Sequence, residues 1–305
     1  MIRARGLTKT YGDFAAVAGI DLDVSAGESF GILGPNGAGK STTMRMLGAT
    51  LLRTAGDLSI LGRDPSVDGP EIRARLGVVP QQDNLDTELT VRENLYTYGR
   101  YFGLPRQQLR GRIDELLEFA QLTDKRDAKV ESLSGGMKRR LTIARGLVNE
   151  PTILLLDEPT TGLDPQARHI LWDRLFRLKE TGVTLVITTH YMDEAEQLCS
   201  RLVVMDGGRI VAEGSPADLI RTYCTREVVE VRFGSDRNAA AAQQLAGIGA
   251  RHEVLPDRIL VYSDEGEADL QRIVAAGWMP VTSLVRRSSL EDVFLTLTGR
   301  SLADG

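Results

Sequence analysis

The sequence predicts an α/β protein with a mostly parallel sheet, followed by a smaller C-terminal α+β domain. Strand-length apolar segments alternate with helical segments through residues 1–225, a pattern typical of parallel sheets. From residue 226 to residue 305 the predicted order is β-α-β-β-α-β, which is ferredoxin-like. The length of 305 residues also fits about two domains.

The N-terminal part begins with two strands of nearly alternating apolar residues, Ile2–Thr10 and Phe14–Val24, which we expect to be antiparallel. Phe30–Leu33 is a continuous apolar strand that runs into a glycine-rich loop. Ser41–Leu52 then has helical composition, and Leu76–Pro80 is another short apolar strand.

The middle of the chain, about residues 85–148, predicts a helical subdomain. Thr90–Glu93 forms a capping box that starts a helix, and we expect this helix to end near Phe102. Arg110–Leu122 and Gly136–Val148 follow as two further helices.

Strands and helices then alternate again. In chain order they are strand Thr152–Leu156, helix Ala167–Thr181, strand Val183–Thr188, helix Met192–Cys199 and strand Leu202–Met205. The C-terminal domain contains strand Val228–Phe233, helix Arg237–Leu245, strands Ala250–Leu255 and Ile259–Tyr262, helix Glu267–Ala276 and strand Val281–Val285. Ser289–Asp292 opens a final helix as a second capping box.

The glycine-rich loop matches the phosphate-binding motif G-x-x-x-x-G-K-[ST] in full. Its backbone N–H groups point at phosphate oxygens, Lys40 reaches the β- and γ-phosphates, and the Ser41 hydroxyl ligates Mg²⁺. The strand before it and the helix after it supply the required context. The predicted nucleotide site comprises Gly34, Pro35, Asn36, Gly37, Ala38, Gly39, Lys40, Ser41 and Thr42.

A second apolar strand ends in two carboxylates, Asp157 and Glu158. Asp157 fits the role of holding Mg²⁺. Glu158 points to the other side and is suited to orient and polarise an attacking water, a role that contributes about 10²–10⁴-fold to a rate. The pair predicts a hydrolytic site beside the phosphate-binding loop.

Leu133, Ser134, Gly135 and Gly136 lie between these two motifs and open a helix, which makes an anion site of hydroxyl, free N–H groups and helix dipole. Here the sequence resembles the ATP-binding cassette (ABC) family of P-loop NTPases, whose signature is this tetrapeptide. The resemblance implies that the signature binds the γ-phosphate of ATP held by the other copy of a head-to-tail homodimer. Met137 follows, where many members of the family carry Gln.

Four further positions match family motifs one by one. By resemblance, Tyr11 stacks on the adenine ring, and Gln81 touches Mg²⁺ and senses the membrane partner, with the adjacent Gln82 as an alternative. Asp164 is expected to act across the dimer interface, and His190 to contact the γ-phosphate.

Three segments, residues 79–86, 189–196 and 289–294, carry a narrower resemblance to nodulation-factor (lipo-oligosaccharide) and daunorubicin-type drug exporter ATPases. This resemblance implies an ATPase on the cytoplasmic face of the cell membrane that uses ATP and Mg²⁺. Its expected partner is a separate membrane permease, which exports a lipid-linked, oligosaccharide or drug-like compound.

Composition excludes several other classes of protein. The net charge of −5 leaves no basic excess for nucleic-acid binding, and two distant cysteines are typical of a reducing cytosol. No apolar run approaches the roughly 18 residues of a membrane span. A soluble ABC ATPase acting on ribosomes or DNA usually has two cassettes or a long coiled coil, which this chain lacks. A P-loop kinase or GTPase has no use for the signature.

Overall fold

The computed structural model describes residues 1–245 and 247–299, which divide into two compact units, Met1–Glu213 and a second that begins at Gly214. Ala246 and the last six residues of the predicted C-terminal domain lie outside the described residues. The division comes earlier than the predicted boundary after residue 225. The reason is that a helix at Pro216–Tyr223 packs against the C-terminal helix Leu290–Thr298 of the second unit.

The first unit is built from strands and helices in a mixed order. They are β1 (Ile2–Tyr11), β2 (Phe14–Val24), β3 (Ser29–Leu33), α1 (Lys40–Leu47), β4 (Ala55–Ile60), α2 (Gly69–Arg73), β5 (Leu76–Val79), α3 (Val91–Tyr101), α4 (Arg106–Ala120), α5 (Gly135–Gly146), β6 (Ile153–Asp157), α6 (Pro165–Glu180), β7 (Thr184–Thr189), α7 (Met192–Leu198), β8 (Arg201–Asp206) and β9 (Arg209–Gly214).

Two sheets organise this unit. Strands β2, β1 and β4 form an antiparallel sheet in that order, and a six-stranded sheet has the order β5-β6-β7-β3-β8-β9. Strands β5, β6, β7, β3 and β8 pair in parallel, so their carboxyl ends lie at one edge. All residues of β3 and β7 are buried, as expected for a parallel strand covered on both faces. The predicted parallel sheet and N-terminal antiparallel strands are both confirmed.

Helix boundaries follow local signals closely in some places and less so in others. The capping box at the start of α3 is present, with Thr90 Oγ1 accepting from Glu93 N and Glu93 Oε2 accepting from Thr90 N. Helix α1 ends at Leu47 rather than at the predicted Leu52, because Gly48 and Ala49 leave the helical conformation and Ala49 has a φ of 51°. Helix α4 begins at Arg106, directly after Pro105, rather than at Arg110.

The second unit contains α8 (Pro216–Tyr223), β10 (Glu227–Arg232), α9 (Ser235–Gln244), β11 (Arg251–Val254), β12 (Ile259–Ser263), α10 (Gly266–Ala275), β13 (Thr282–Arg287) and α11 (Leu290–Thr298). Its sheet has the order β11-β12-β10-β13, and every pairing is antiparallel. The predicted β-α-β-β-α-β order is therefore confirmed between residues 227 and 287.

The final capping box has a structural explanation. Asp292 is fully buried and accepts hydrogen bonds from Ser289 N at 2.8 Å and from Arg286 at 2.7 and 2.9 Å. Arg286 also donates to Glu230 at 2.7 Å on the neighbouring strand β10. These two carboxylates raise the pKa of the Arg286 guanidinium. The segment thus fastens helix α11 to the sheet of its own unit.

Candidate nucleotide and catalytic site

The glycine-rich loop leaves the carboxyl end of β3 and wraps tightly before α1 begins at Lys40. Gly34 N donates to Thr189 O at the end of β7, which fixes the start of the loop. A Cβ on Gly34 would lie 2.3 Å from Met205 O, and one on Gly39, whose φ is 98°, would lie 2.4 Å from Ala16 O. Only glycine fits at these two positions, so the loop sequence is dictated by close backbone approach.

The side chain of Lys40 is buried at the base of this loop. Its ammonium donates to Gly34 O at 2.8 Å and to Pro35 O at 3.0 Å, and lies 3.3 Å from Glu158 Oε1. Burial lowers the pKa of the ammonium, although the charge of Glu158 acts in the opposite direction. The loop thus holds a cation at its centre, with mainly carbonyl oxygens as partners that an anionic ligand could replace.

Glu158 is the point at which separate parts of the chain meet. Its Oε2 accepts from Gln81 Nε2 at 3.0 Å and from Thr161 Oγ1 at 3.2 Å, and lies 3.2 Å from Nδ1 of His190. Its backbone has a φ of 46°, which is uncommon for a residue other than glycine and often accompanies a functional site. Three residues predicted from distant motifs therefore converge on one carboxylate.

This environment keeps Glu158 ionised. Contact with the His190 ring, followed by the charge of Lys40, outweighs burial and lowers the pKa of the carboxyl to about 2. An ionised carboxylate is able to accept a hydrogen bond from water and so to orient it.

Asp157 lies on the neighbouring side of the strand end, next to Ser41. Its Oδ1 accepts from Ser41 Oγ at 3.3 Å and from Thr188 Oγ1 on β7. A hydroxyl and a carboxylate are hard oxygen donors, which suit Mg²⁺ when phosphate and water oxygens complete its octahedral coordination. The donor set present in the protein therefore fits a magnesium ion bound together with a nucleotide.

An open cavity of about 290 Å³ lies over the loop. Two exposed aromatic rings, Tyr11 and Phe14, form part of its wall. Gln81 reaches the cavity as predicted, and the structure offers no corresponding position for Gln82 in the lining. The lining comprises Tyr11, Phe14, Ala16, Pro35, Asn36, Gly37, Gly39, Lys40, Ser41, Thr42, Gln81 and Glu158.

The signature and Asp164 lie elsewhere. Ser134 is the exposed N-cap of α5, where its Oγ accepts from Met137 N at 3.3 Å, and Gly135 is also exposed. Asp164 is exposed too and caps α6, accepting from Ala167 N at 2.9 Å. Within the described part of the chain, neither Asp164 nor residues 133–136 line the cavity over the loop.

Several residues at the site were not predicted from the sequence. Phe14 shares the hairpin of Tyr11, and its aromatic character was an available signal. Thr188 donates to Asp157 and accepts from Glu158 N at 3.1 Å, a role that a buried strand threonine does not reveal in sequence. Arg139 is buried on α5 and contacts the segments of both Gln81 and Glu158, which only the folded chain shows.

The fold and the site together define the class of protein as a P-loop ATPase of the ATP-binding cassette type. The ABC transporter family model matches residues 17–161. The model of the Nodulation factor export protein NodI C-terminal domain matches residues 238–299.

Curated relatives match the whole chain. A Nod factor export ATP-binding protein I of Cupriavidus metallidurans is 47% identical over 304 residues, which are 100% of this chain and 99% of the relative. A protein of the same name from Rhizobium meliloti is 48% identical over 99% of this chain and 89% of its own length. The chain therefore belongs to the family of ABC transporter ATP-binding proteins.

Solved structures agree with this assignment. A dimeric ATP-binding cassette in a post-hydrolysis state, bound to ADP and Pi, is 31% identical with a TM-score of 0.65, covering 70% of this chain and 98% of that one. The cbiO1 protein of Clostridium perfringens, part of an ABC transporter complex, is 31% identical with a TM-score of 0.67, covering 72% and 90%.

The chain is thus the nucleotide-binding ATPase subunit of an ABC exporter, and such a subunit works with a membrane partner. Among the described residues, no helix is both long enough and apolar enough to cross a membrane.

Proposed function

We propose that two copies of this chain bind two ATP molecules between them, close, and drive a separate membrane permease before hydrolysis resets them. The observation that carries this proposal is the convergence of Lys40, Gln81 and His190 on Glu158 beside an open cavity. A buried cation, an ionised carboxylate and a neutral amide around one space suit binding and hydrolysis of a terminal phosphate.

Nucleotide binding is divided among three parts of the cavity. The backbone N–H groups of residues 34–42 and the ammonium of Lys40 hold the phosphates, and Tyr11 stacks on adenine. Ser41 and Asp157, with Gln81 nearby, hold Mg²⁺, which neutralises phosphate charge when bound. Gly34–Thr42 are thereby the principal ATP contacts.

Hydrolysis is assigned to Glu158. Its carboxylate accepts a hydrogen bond from the attacking water and orients it, while Gln81 and His190 fix the carboxylate from two sides. His190 also lies where it would contact the γ-phosphate. The reaction depends on positioning and on charge stabilisation, with no covalent intermediate on the protein.

Dimerisation follows from what the single chain leaves exposed. The helix that begins at Gly135 presents the hydroxyl of Ser134 and free N–H groups outward, away from any cavity residue of its own chain. A second copy would bring its bound γ-phosphate to this helix start, and Asp164 would lie at the same interface. Because each copy offers both surfaces, the arrangement is a closed two-fold dimer with two equivalent sites.

The exported compound is proposed to be a lipid-linked or oligosaccharide substrate, by analogy with the relatives named for Nod factor export. The permease, and not this chain, would contact that compound. In this proposal the chain acts at the cytoplasmic face of the cell membrane.

The dimer is tested with two substitutions in one protein. Glu158→Gln should retain ATP and hold two copies together, and adding Ser134→Arg should abolish this dimer by placing bulk and charge at the γ-phosphate position. Size-exclusion chromatography with light scattering, with and without ATP, measures the mass. Ser200→Arg is the matched control, because exposed Ser200 precedes β8 at the opposite end of the parallel strands from the loop.

The result would count against the signature acting across the dimer if the Ser134→Arg double variant dimerised as well as Glu158→Gln alone. A Glu158→Gln protein that remains monomeric with saturating ATP would instead count against ATP-driven closure of the chain by itself.

The adenine contact gives a separate prediction. Tyr11→Ala should raise the KM for ATP about 5- to 100-fold, since base–aromatic stacking is worth about 1–3 kcal/mol, while kcat changes little. Steady-state ATPase assays measure both constants. Tyr101→Ala on α3, with 80% of its side chain exposed, is the control. An effect of Phe14→Ala without one of Tyr11→Ala would transfer the stacking role to Phe14.

A further inference from the structure

Arg139 is a buried arginine on α5, five residues after the signature serine. Its Nε donates to Pro159 O at 2.7 Å and its Nη1 to Pro80 O at 2.6 Å. Its Nη2 donates to Asp157 O and Glu158 O, both at 3.1 Å. One guanidinium therefore holds the backbone of two separate segments.

The first segment is 80–83, which follows β5 and carries Gln81. Nη1 also lies 3.3 Å from Gln81 O and 3.4 Å from Asp83 Oδ1, and Thr142 of the same helix donates to that oxygen at 3.0 Å. The second segment is 157–159, which follows β6 and carries Glu158. The Gln81–Glu158 hydrogen bond of 3.0 Å joins the side chains of these two segments.

The geometry requires an arginine. A guanidinium presents five N–H donors in a rigid planar fork, so that its nitrogens serve acceptors on different sides simultaneously. The Arg139 side chain is only 4% exposed, so water has little access to replace these bonds if they are lost. A lysine at this position would keep the charge but has a single nitrogen, which could not span both segments.

We propose that Arg139 is a positioning residue for hydrolysis, which sets the distance between Gln81 and Glu158 and ties both to the helix capped by Ser134. Arg139 does not line the cavity within the described residues, so it acts through its neighbours rather than on ATP. The inference rests on the proposed role of Glu158 in hydrolysis. It implies that a change at the signature helix is transmitted directly to the carboxylate.

The test compares Arg139→Gln and Arg139→Lys with Arg140→Gln in the full-length chain. Arg140 is the matched control, because it lies on the same helix but donates to Ala120 O and Gln121 Oε1 at the end of α4. Steady-state assays give kcat and KM, and a fluorescent ATP analogue gives the binding constant.

Both Arg139 variants should lose kcat by about 10- to 100-fold, as a misplacement of about 1 Å in a catalytic group does, with KM and analogue binding nearly unchanged. Arg140→Gln should keep wild-type kcat. Lysine should fail to restore turnover, because the requirement is the fork and not the charge.

Other outcomes overturn the proposal. Wild-type kcat in either Arg139 variant, or a rise in KM that equals the fall in kcat/KM, would do so. If Arg139→Gln does not fold, judged by circular dichroism, Arg139→Lys carries the test. Failure of both to fold would assign Arg139 a purely structural role. A Glu158→Gln protein that turns over normally would instead refute the proposed function on which the inference rests.

Discussion

Replacing Glu158 by glutamine is expected to lower kcat by about 10²–10⁴-fold, the range that a positioned acid–base group contributes. Glutamine keeps the shape of the side chain but removes the charge that orients water. It also reverses half of the hydrogen bonding, since an amide NH₂ would face the donors Gln81 and Thr161 or the Lys40 ammonium. ATP binding should persist, because the loop residues and Lys40 remain.

Phosphate release under saturating ATP measures this loss, and retention of a fluorescent ATP analogue confirms that binding is intact. Glu118→Gln, an exposed carboxylate on α4, is the matched control and should behave as wild type. If Glu158→Gln hydrolysed ATP within twofold of the wild-type rate, another group would have to orient the water.

Replacing Lys40 by alanine is expected to weaken ATP binding by on the order of 100-fold, because hydrogen bonds to charged groups contribute about 1.5–3 kcal/mol each. The ammonium already lies between Gly34 O, Pro35 O and Glu158, and it is the cation of the loop. Its removal takes away the positive charge that faces the phosphates. It also leaves the Glu158 carboxylate without its 3.3 Å partner, so repulsion from the nucleotide should increase.

Equilibrium titration with the fluorescent ATP analogue measures the affinity, and the thermal midpoint verifies that the variant is folded. Lys125→Ala removes an exposed lysine of the helical subdomain and should leave the affinity unchanged. Wild-type affinity in Lys40→Ala would contradict the assignment of residues 34–42 as the phosphate site.

Most of the fold was predictable because its signals are local. Thr90 and Glu93 specify a helix start through their own side chains, and the structure shows both hydrogen bonds. The continuous apolar runs of β3, β6 and β7 have the composition of buried parallel strands, whatever their neighbours.

The elements that were missed have weaker local patterns. Strand β4 begins with three exposed residues and depends on antiparallel pairing with β1 across about fifty residues of chain, so its sequence does not alternate clearly. Helix α2 has only five residues. Helix α8 was detectable, because Ser215 caps it and Pro216 occupies its first position, which is a common helix start.

The sequence by itself determined the phosphate loop, the carboxylates at the end of β6 and the signature, because each depends on residues that are adjacent in the chain. Only the tertiary structure decided that Gln81, His190 and Lys40 meet at Glu158, and that Arg139 holds two of their segments. The physical reason is the parallel order of β5, β6, β7 and β3. It brings four distant carboxyl ends to one edge, where side chains separated by up to 150 residues of chain share a single buried carboxylate.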